Sequence, residues 1–210
     1  MSDNVNTFGF NEGDDDIRGG QYEKYKGKKG EVHRCGVVYT DPKTMFAGSK
    51  IHFSSRYFLC KKGICCEKLG APKWRVGAVL VKYNTDRQGN VKQPFSYELL
   101  PWLFSETTYN KLKNVNSEFP LASHDIKISC TNEEYQHLDL TPCSESIWQA
   151  KDTLKSQVLE EAKPIWDHIK KSLGSDLSVE EIKDLLGVGG GGPAADPTQK
   201  VDLDSVLSDL

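Results

Sequence analysis

From Glu31 to Leu140, apolar and polar residues alternate over short runs that end in turn-forming residues, the period of half-buried strands. Glu31 to Tyr39 is rich in strand formers and stops at Asp41-Pro42. Lys50 to Leu59 alternates around Ile51, Phe53, Tyr57 and Phe58, and Lys73 to Tyr83 around Trp74, Val76, Val79 and Val81. The turn composition Arg87-Gln88-Gly89-Asn90, followed by a strand-like return from Gln93 to Leu100, predicts a hairpin over Trp74 to Leu100. Ser105 to Asn114 is spaced for a helix with Tyr109 and Leu112 inward. Ile126 to Cys130 and Tyr135 to Leu140 predict a second hairpin. Five or six short strands with a helix between two hairpins predict an α+β fold that is mainly β, an OB-fold-like small barrel.

After Pro142 the period changes. Ile147, Ala150, Leu154, Val158, Ala162, Ile165 and Ile169 recur at helical spacing, and Pro164 predicts a kink or a split. Ser178 with Glu181 three residues later forms a capping box that opens a helix over Val179 to Leu186, with Gly187 as its terminator. The expected organisation is a disordered acidic N-terminus over 1–20, a β-domain over 21–143, a helical region over 144–187, a Gly/Pro/Ala linker over 188–200 and a tail over 201–210.

Charge divides the chain in the same way. Residues 1–16 carry five acidic groups and no base, residues 17–100 hold 17 Lys/Arg against six acidic residues, and residues 101–210 hold 10 against 19. The net charge of −3 hides this division. A segment of net +11 between two acidic ones is the electrostatic footprint of a phosphate-binding surface. Lys24, Lys28, Lys29, Arg34, Arg56, Lys73, Arg75 and Lys82 are interleaved there with Tyr25, Tyr39, Tyr57, Phe58, Trp74 and Tyr83. Single-strand binders need that mixture, because unpaired bases stack on rings while cations track the backbone. Arg56-Tyr57-Phe58 and Lys73-Trp74-Arg75 place ring beside cation, and the expectation is that these groups line one common trough.

His52, Cys60, Cys65 and Cys66 are a candidate Zn²⁺ set, three thiols and an imidazole around Lys61-Lys62-Gly63. Adjacent cysteines on an extended chain point opposite ways, so one of Cys65 and Cys66 can be a spectator, with His33 or Cys35 supplying the missing ligand. Cys130 and Cys143 read as structural. No stretch is long and apolar enough for a membrane span and no signal peptide is evident, so a cytoplasmic protein with reduced thiols is expected. No nucleophile, base or phosphate-cradling motif points to catalysis.

The last ten residues alternate Asp202, Asp204 and Asp209 with aliphatics that include Leu207 and Leu210, a pattern suited to docking in a basic, apolar-lined groove. Taken in order, the His52 to Cys66 insertion, the strand Lys73-Trp74-Arg75-Val76-Gly77-Ala78-Val79-Leu80-Val81-Lys82, the Phe95 to Leu112 segment and the ending Asp-Leu-Asp-Ser-Val-Leu-Ser-Asp-Leu resemble the single-stranded DNA-binding (helix-destabilising) proteins of T-even-type bacteriophages. The resemblance covers roughly residues 24–148 and the tail. It implies a basic OB-fold with a zinc insertion, sequence-tolerant binding of single-stranded DNA, and recruitment of replication, recombination and repair proteins by the tail. Two features depart from that family: the Cys-x-x-Cys knuckle is reduced to Cys65-Cys66, and the N-terminal arm is acidic. An RNA-binding or transcription-accessory zinc protein is the alternative reading, and a hydrolase using His52 and Cys60 a more distant one.

Overall fold

The computed structural model describes residues 22–131 and 137–188. The N-terminus over 1–20, the linker beyond Val188, and Asp202, Asp204, Leu207, Asp209 and Leu210 of the tail lie outside the described residues. Among the described residues, seven strands run in chain order: β1 (Val32–Val38), β2 (Ala47–Phe53), β3 (Tyr57–Leu59), β4 (Lys73–Tyr83), β5 (Tyr97–Ser105), β6 (Ile126–Cys130) and β7 (Leu138–Pro142). Four helices accompany them, α1 (Ile64–Leu69), α2 (Glu106–Glu118), α3 (Asp152–Ser172) and α4 (Val179–Leu185), with a 3₁₀ turn at Pro42–Thr44.

The α+β class and both hairpins agree with the sequence pattern; the barrel does not. All seven strands belong to one mainly antiparallel sheet in the order β3-β2-β4-β1-β6-β7, with β5 on the other side of β4. β4 is 11 residues long and has three partners. Its first half pairs with β2 and its second half with β1 along one edge, while β5 follows the other edge from Tyr97 to Ser105. Among the described residues no strand joins β5 to β7. The intervening gap is spanned by the segment before β1, where the Tyr25 N–H donates to the Pro101 carbonyl at 2.9 Å and Lys29 bridges Cys130. The run from Lys50 to Leu59 is two strands and not one, because the chain reverses at Ser54 to Arg56 and sets Phe53 opposite Tyr57.

Strand alternation builds two apolar faces. One carries Cys35, Val37, Ala78, Leu80, Trp102, Phe104, Ile126 and Ile128, with Leu112 of α2 in the same core. α3 covers the other, burying Val158, Ala162, Ile165 and Ile169. Pro164 sits inside an unbroken α3: its own position is exposed, and buried residues on both sides of it press the helix onto the sheet. The helical region is therefore part of the main core. A smaller core gathers Phe58, Cys65, Leu177 and Ile182, so that α4 packs on the β3–α1 segment. The capping box forms as predicted, with the Glu181 N–H donating to Ser178 Oγ at 3.2 Å and the Ser178 N–H to Glu181 Oε2 at 2.7 Å.

His33 is buried between the Tyr25 hydroxyl and the Glu31 carboxylate, each 3.1 Å from a ring nitrogen. Burial holds its pKa below the usual histidine value, against the opposing hydrogen bond from Glu31 and with Lys82 and Lys28 pushing the same way as burial. A depressed imidazole contributes stability above the unfolded pKa of about 6.5 and loses it as the pH falls through the folded value. Thermal melts are accordingly expected to drop as the pH is lowered from about 7 toward 5, with a shallower slope in His33→Gln; equal slopes would remove His33 from the effect.

Candidate metal centre and aromatic face

The four candidate ligands come from three neighbouring elements. His52 on β2 faces Phe58 on β3, and the Cys60 N–H donates to the Lys50 carbonyl at 2.9 Å, carrying the ladder one step past β3. Lys62 (φ 62°) and Gly63 (φ 53°) then take left-handed backbone that turns the chain into α1. Cys65 and Cys66 lie in the first turn of that helix. Successive helical residues are about 100° apart and not opposed, so both thiols reach the same site. The extended-chain expectation that one of them would be a spectator is thereby corrected.

Cys60 Sγ lies 3.4 Å from Cys66 Sγ and 4.0 Å from Cys65 Sγ, Cys66 Sγ lies 3.6 Å from His52 Nε2, and all four ligand atoms fall within 4.8 Å of one another. Ligand bonds of about 2.3 Å to sulfur and 2.0–2.1 Å to nitrogen put the corners of a tetrahedron roughly 3.5–3.8 Å apart. The cluster fits that size, so the site can hold a metal ion. The Lys62 N–H donates to Cys60 Sγ at 3.4 Å and orients it. Although burial pushes the Cys60 thiol up, hydrogen bonds from that N–H and from the Cys66 and Cys65 thiols bring it below its ordinary value. Cys66 is pushed up to about 11, chiefly by its hydrogen bond to Cys60. Burial keeps His52 low and therefore neutral, the form that ligates. His33 and Cys35 take no part: His33 is held by Tyr25 and Glu31, and Cys35 is buried in the main core.

The basic, aromatic residues do not share one trough. Register sets Phe53 opposite Tyr57 and Lys50 opposite Trp74, and places Lys73 and Arg75 on the Phe53 side of the sheet. One face therefore carries Phe53, Tyr57, Lys73 and Arg75, and the other Lys50 and Trp74. On the first, Phe53 and Tyr57 are 59% and 45% exposed with ring centroids 4.9 Å apart, and the Arg75 guanidinium lies 4.2 Å from the Tyr57 ring centre. Arg56 and Lys73 are exposed beside them. On the second, Trp74 is 42% exposed, with Lys50 Nζ 5.9 Å from its ring centre.

Four of the predicted stacking rings are interior instead. Phe58 belongs to the smaller core, and Tyr25, Tyr39 and Tyr83 to the main one. Their hydroxyls have internal partners: Tyr25 meets His33, Tyr39 donates to the Ala122 carbonyl at 2.6 Å, and Tyr83 donates to Asp125 Oδ1 at 3.3 Å. Arg34 is likewise structural, its Nε donating to Asp125 Oδ2 at 3.1 Å and its Nη2 to the Glu145 carbonyl at 2.9 Å. Lys82 pairs with Glu98 at 2.6 Å. Lys24, Lys28 and Lys29 lie on the segment before β1, away from the ring pair in sequence, with Lys28 and Lys29 exposed and Lys24 half-buried. Phe53, an alternating apolar position of the Lys50 to Leu59 run, was not among the predicted stacking residues. The available signal was its place at the end of a strand whose partner is only three residues long.

Among the described residues no helix is long and apolar enough to cross a membrane. Comparisons of the chain with family models, with curated proteins and with solved structures give no match.

Proposed function

We propose that this chain binds single-stranded DNA with little sequence preference, using the Phe53–Tyr57–Arg75 face as its stacking platform and zinc at His52, Cys60, Cys65 and Cys66 as a structural staple. The observation that carries this reading is the exposed ring pair with a guanidinium stacked on it, inside the most basic part of the chain. A stacking platform flanked by Arg56 and Lys73 supplies both terms that single-strand binding needs. Three thiols and an imidazole form a closed tetrahedral donor set with no position left for substrate, which favours a structural zinc over a hydrolytic one. The acidic, aliphatic decapeptide over 201–210 is proposed to recruit proteins of replication, recombination and repair, in keeping with the resemblance to the T-even-type phage proteins.

Titration of oligo-dT, followed by tryptophan fluorescence, tests the proposal. Affinity is expected to fall with salt with a log–log slope of about −2, as for three phosphate contacts on a single strand. Phe53→Ala with Tyr57→Ala is expected to weaken binding by at least tenfold, each base stack being worth about 1–3 kcal/mol. Salt-independent binding, an unaffected double variant, or a clear preference for RNA of the same sequence would each overturn the assignment.

A further inference from the structure

On the opposite side of the sheet from the stacking pair, a cavity of about 320 Å³ opens between β2, β4 and the start of α2. Trp74, Phe46 and Tyr109 line it, together with the exposed Glu106 and Asn110. Gly48 lets the indole lie close along β2: a Cβ there would meet the Trp74 ring at 3.3 Å. Phe46 packs edge-on against Tyr109, with ring centroids 5.6 Å apart and planes at 90°. A site of this volume is at the small end of ligand pockets. It suits one planar heterocycle, with sugar and phosphate left outside, where the exposed Lys50 stands.

The polar lining narrows the choice of heterocycle. Glu106 and Asn110 are four residues apart in α2 and so share a helix face. Neither side chain has a hydrogen bond or ion pair among the described residues, and both are exposed. An ionised carboxylate only accepts hydrogen bonds, and an amide both donates and accepts. Of the four DNA bases, guanine alone sets two N–H donors side by side on its Watson–Crick edge, N1–H and N2–H, next to the O6 acceptor. Two acceptor oxygens at Glu106 match the donors, and the Asn110 amide N–H matches O6. Adenine and cytosine set a ring-nitrogen acceptor beside their amino group, which meets the carboxylate lone pair to lone pair.

From this geometry we infer that the Trp74 cavity takes up a single unstacked guanine, held on the indole and read by Glu106 and Asn110. The inference rests on the single-strand reading above and adds to it a local base preference in an otherwise tolerant binder. The experiment compares oligo-dT carrying one central dG, dA or dC, and free GMP as competitor, on the full chain and on Glu106→Gln, Asn110→Ala and Trp74→Ala. The dG strand is expected to bind about tenfold more tightly than the dA or dC strand, within the range that paired hydrogen bonds to one base give. Glu106→Gln should bring dG down to the level of dA, and Trp74→Ala should remove the preference as well. Strands that bind equally well whatever the central base overturn the guanine pocket and leave strand binding standing. GMP binding that depends on Glu106, with no strand bound, keeps the pocket and overturns the single-strand reading. Failure to bind either GMP or any strand overturns both.

Discussion

If His52, Cys60, Cys65 and Cys66 hold the proposed zinc, a chelator is expected to abolish hydrogen-exchange protection over residues 52–66 and 175–186 while β1, β4, β5 and β6 keep theirs. The expectation follows from the division of the interior into two cores. Phe58, Cys65, Leu177 and Ile182 form a cluster separate from the main one, and one of its members is itself a candidate ligand. Backbone bonds tie the same pieces together: the Leu59 N–H donates to the Ser175 carbonyl at 2.9 Å, the Ser175 N–H to the Tyr57 carbonyl at 3.0 Å, and Lys61 pairs with Asp176. A structural zinc contributes on the order of 10 kcal/mol, against about 1.5–3 kcal/mol for burying any one of Phe58, Leu177 or Ile182. On the zinc reading proposed above, the ion would contribute more than the packing to holding the small core. Cys60→Ser should reproduce the chelated state, with metal content falling from one ion per chain. Protection that survives both treatments would mean that the cluster holds no structural metal.

The second large effect is expected at Asp125, a fully buried carboxylate at the start of β6. Oδ2 accepts from Arg34 Nε and from the Ile147 N–H, each at 3.1 Å, and Oδ1 accepts from the Tyr83 hydroxyl. That hydroxyl in turn accepts from the Trp148 N–H at 2.9 Å. Burial pushes the Asp125 carboxyl up, opposed by the Ile147 N–H, Ser146 and Arg34. Asp125→Ala strands Arg34 and the Tyr83–Trp148 pair together, and removing one member of a buried ion pair costs about 3–5 kcal/mol. For a chain of this size that is a fall in Tm on the order of 10 °C, measurable by calorimetry. Arg34→Ala should also melt early without the salt-dependent loss of DNA affinity expected of a phosphate contact. If Arg34→Ala instead binds DNA more weakly at unchanged Tm, Arg34 belongs to the binding face.

Local period made the strands from β4 to β6, the helix α2 and the α4 capping box legible in the sequence, because each depends on near neighbours in the chain. The sheet's failure to close was not legible. It depends on which strands become neighbours across the sheet, a tertiary fact that alternation alone does not carry. Residue type pointed to the His52, Cys60, Cys65 and Cys66 cluster, which can hold a metal ion, whereas spacing pointed away from it. Cys65-Cys66 looked unsuited to a common ion until the pair was placed on a helical turn. The stacking residues fared worst. Tyr25, Tyr39, Tyr83 and Phe58 sit among cations in sequence as Tyr57 and Trp74 do, and only packing separates interior rings from exposed ones.

The backbone from Tyr25 to Lys29 touches both β5, through Pro101, and β6, through Cys130. It thus works as a guard rail across the mouth of an unfinished cylinder. A sheet with bare margins recruits other sheets, and here the margin of β5 is met at Pro101 by a strip that is not itself a named strand. Any shortened form of the protein that begins at Glu31 would lose the cover and present the naked rim of β5 to its own copies. The strip ahead of β1 is therefore expected to hinder strand addition at Pro101, where its backbone already occupies part of the β5 margin.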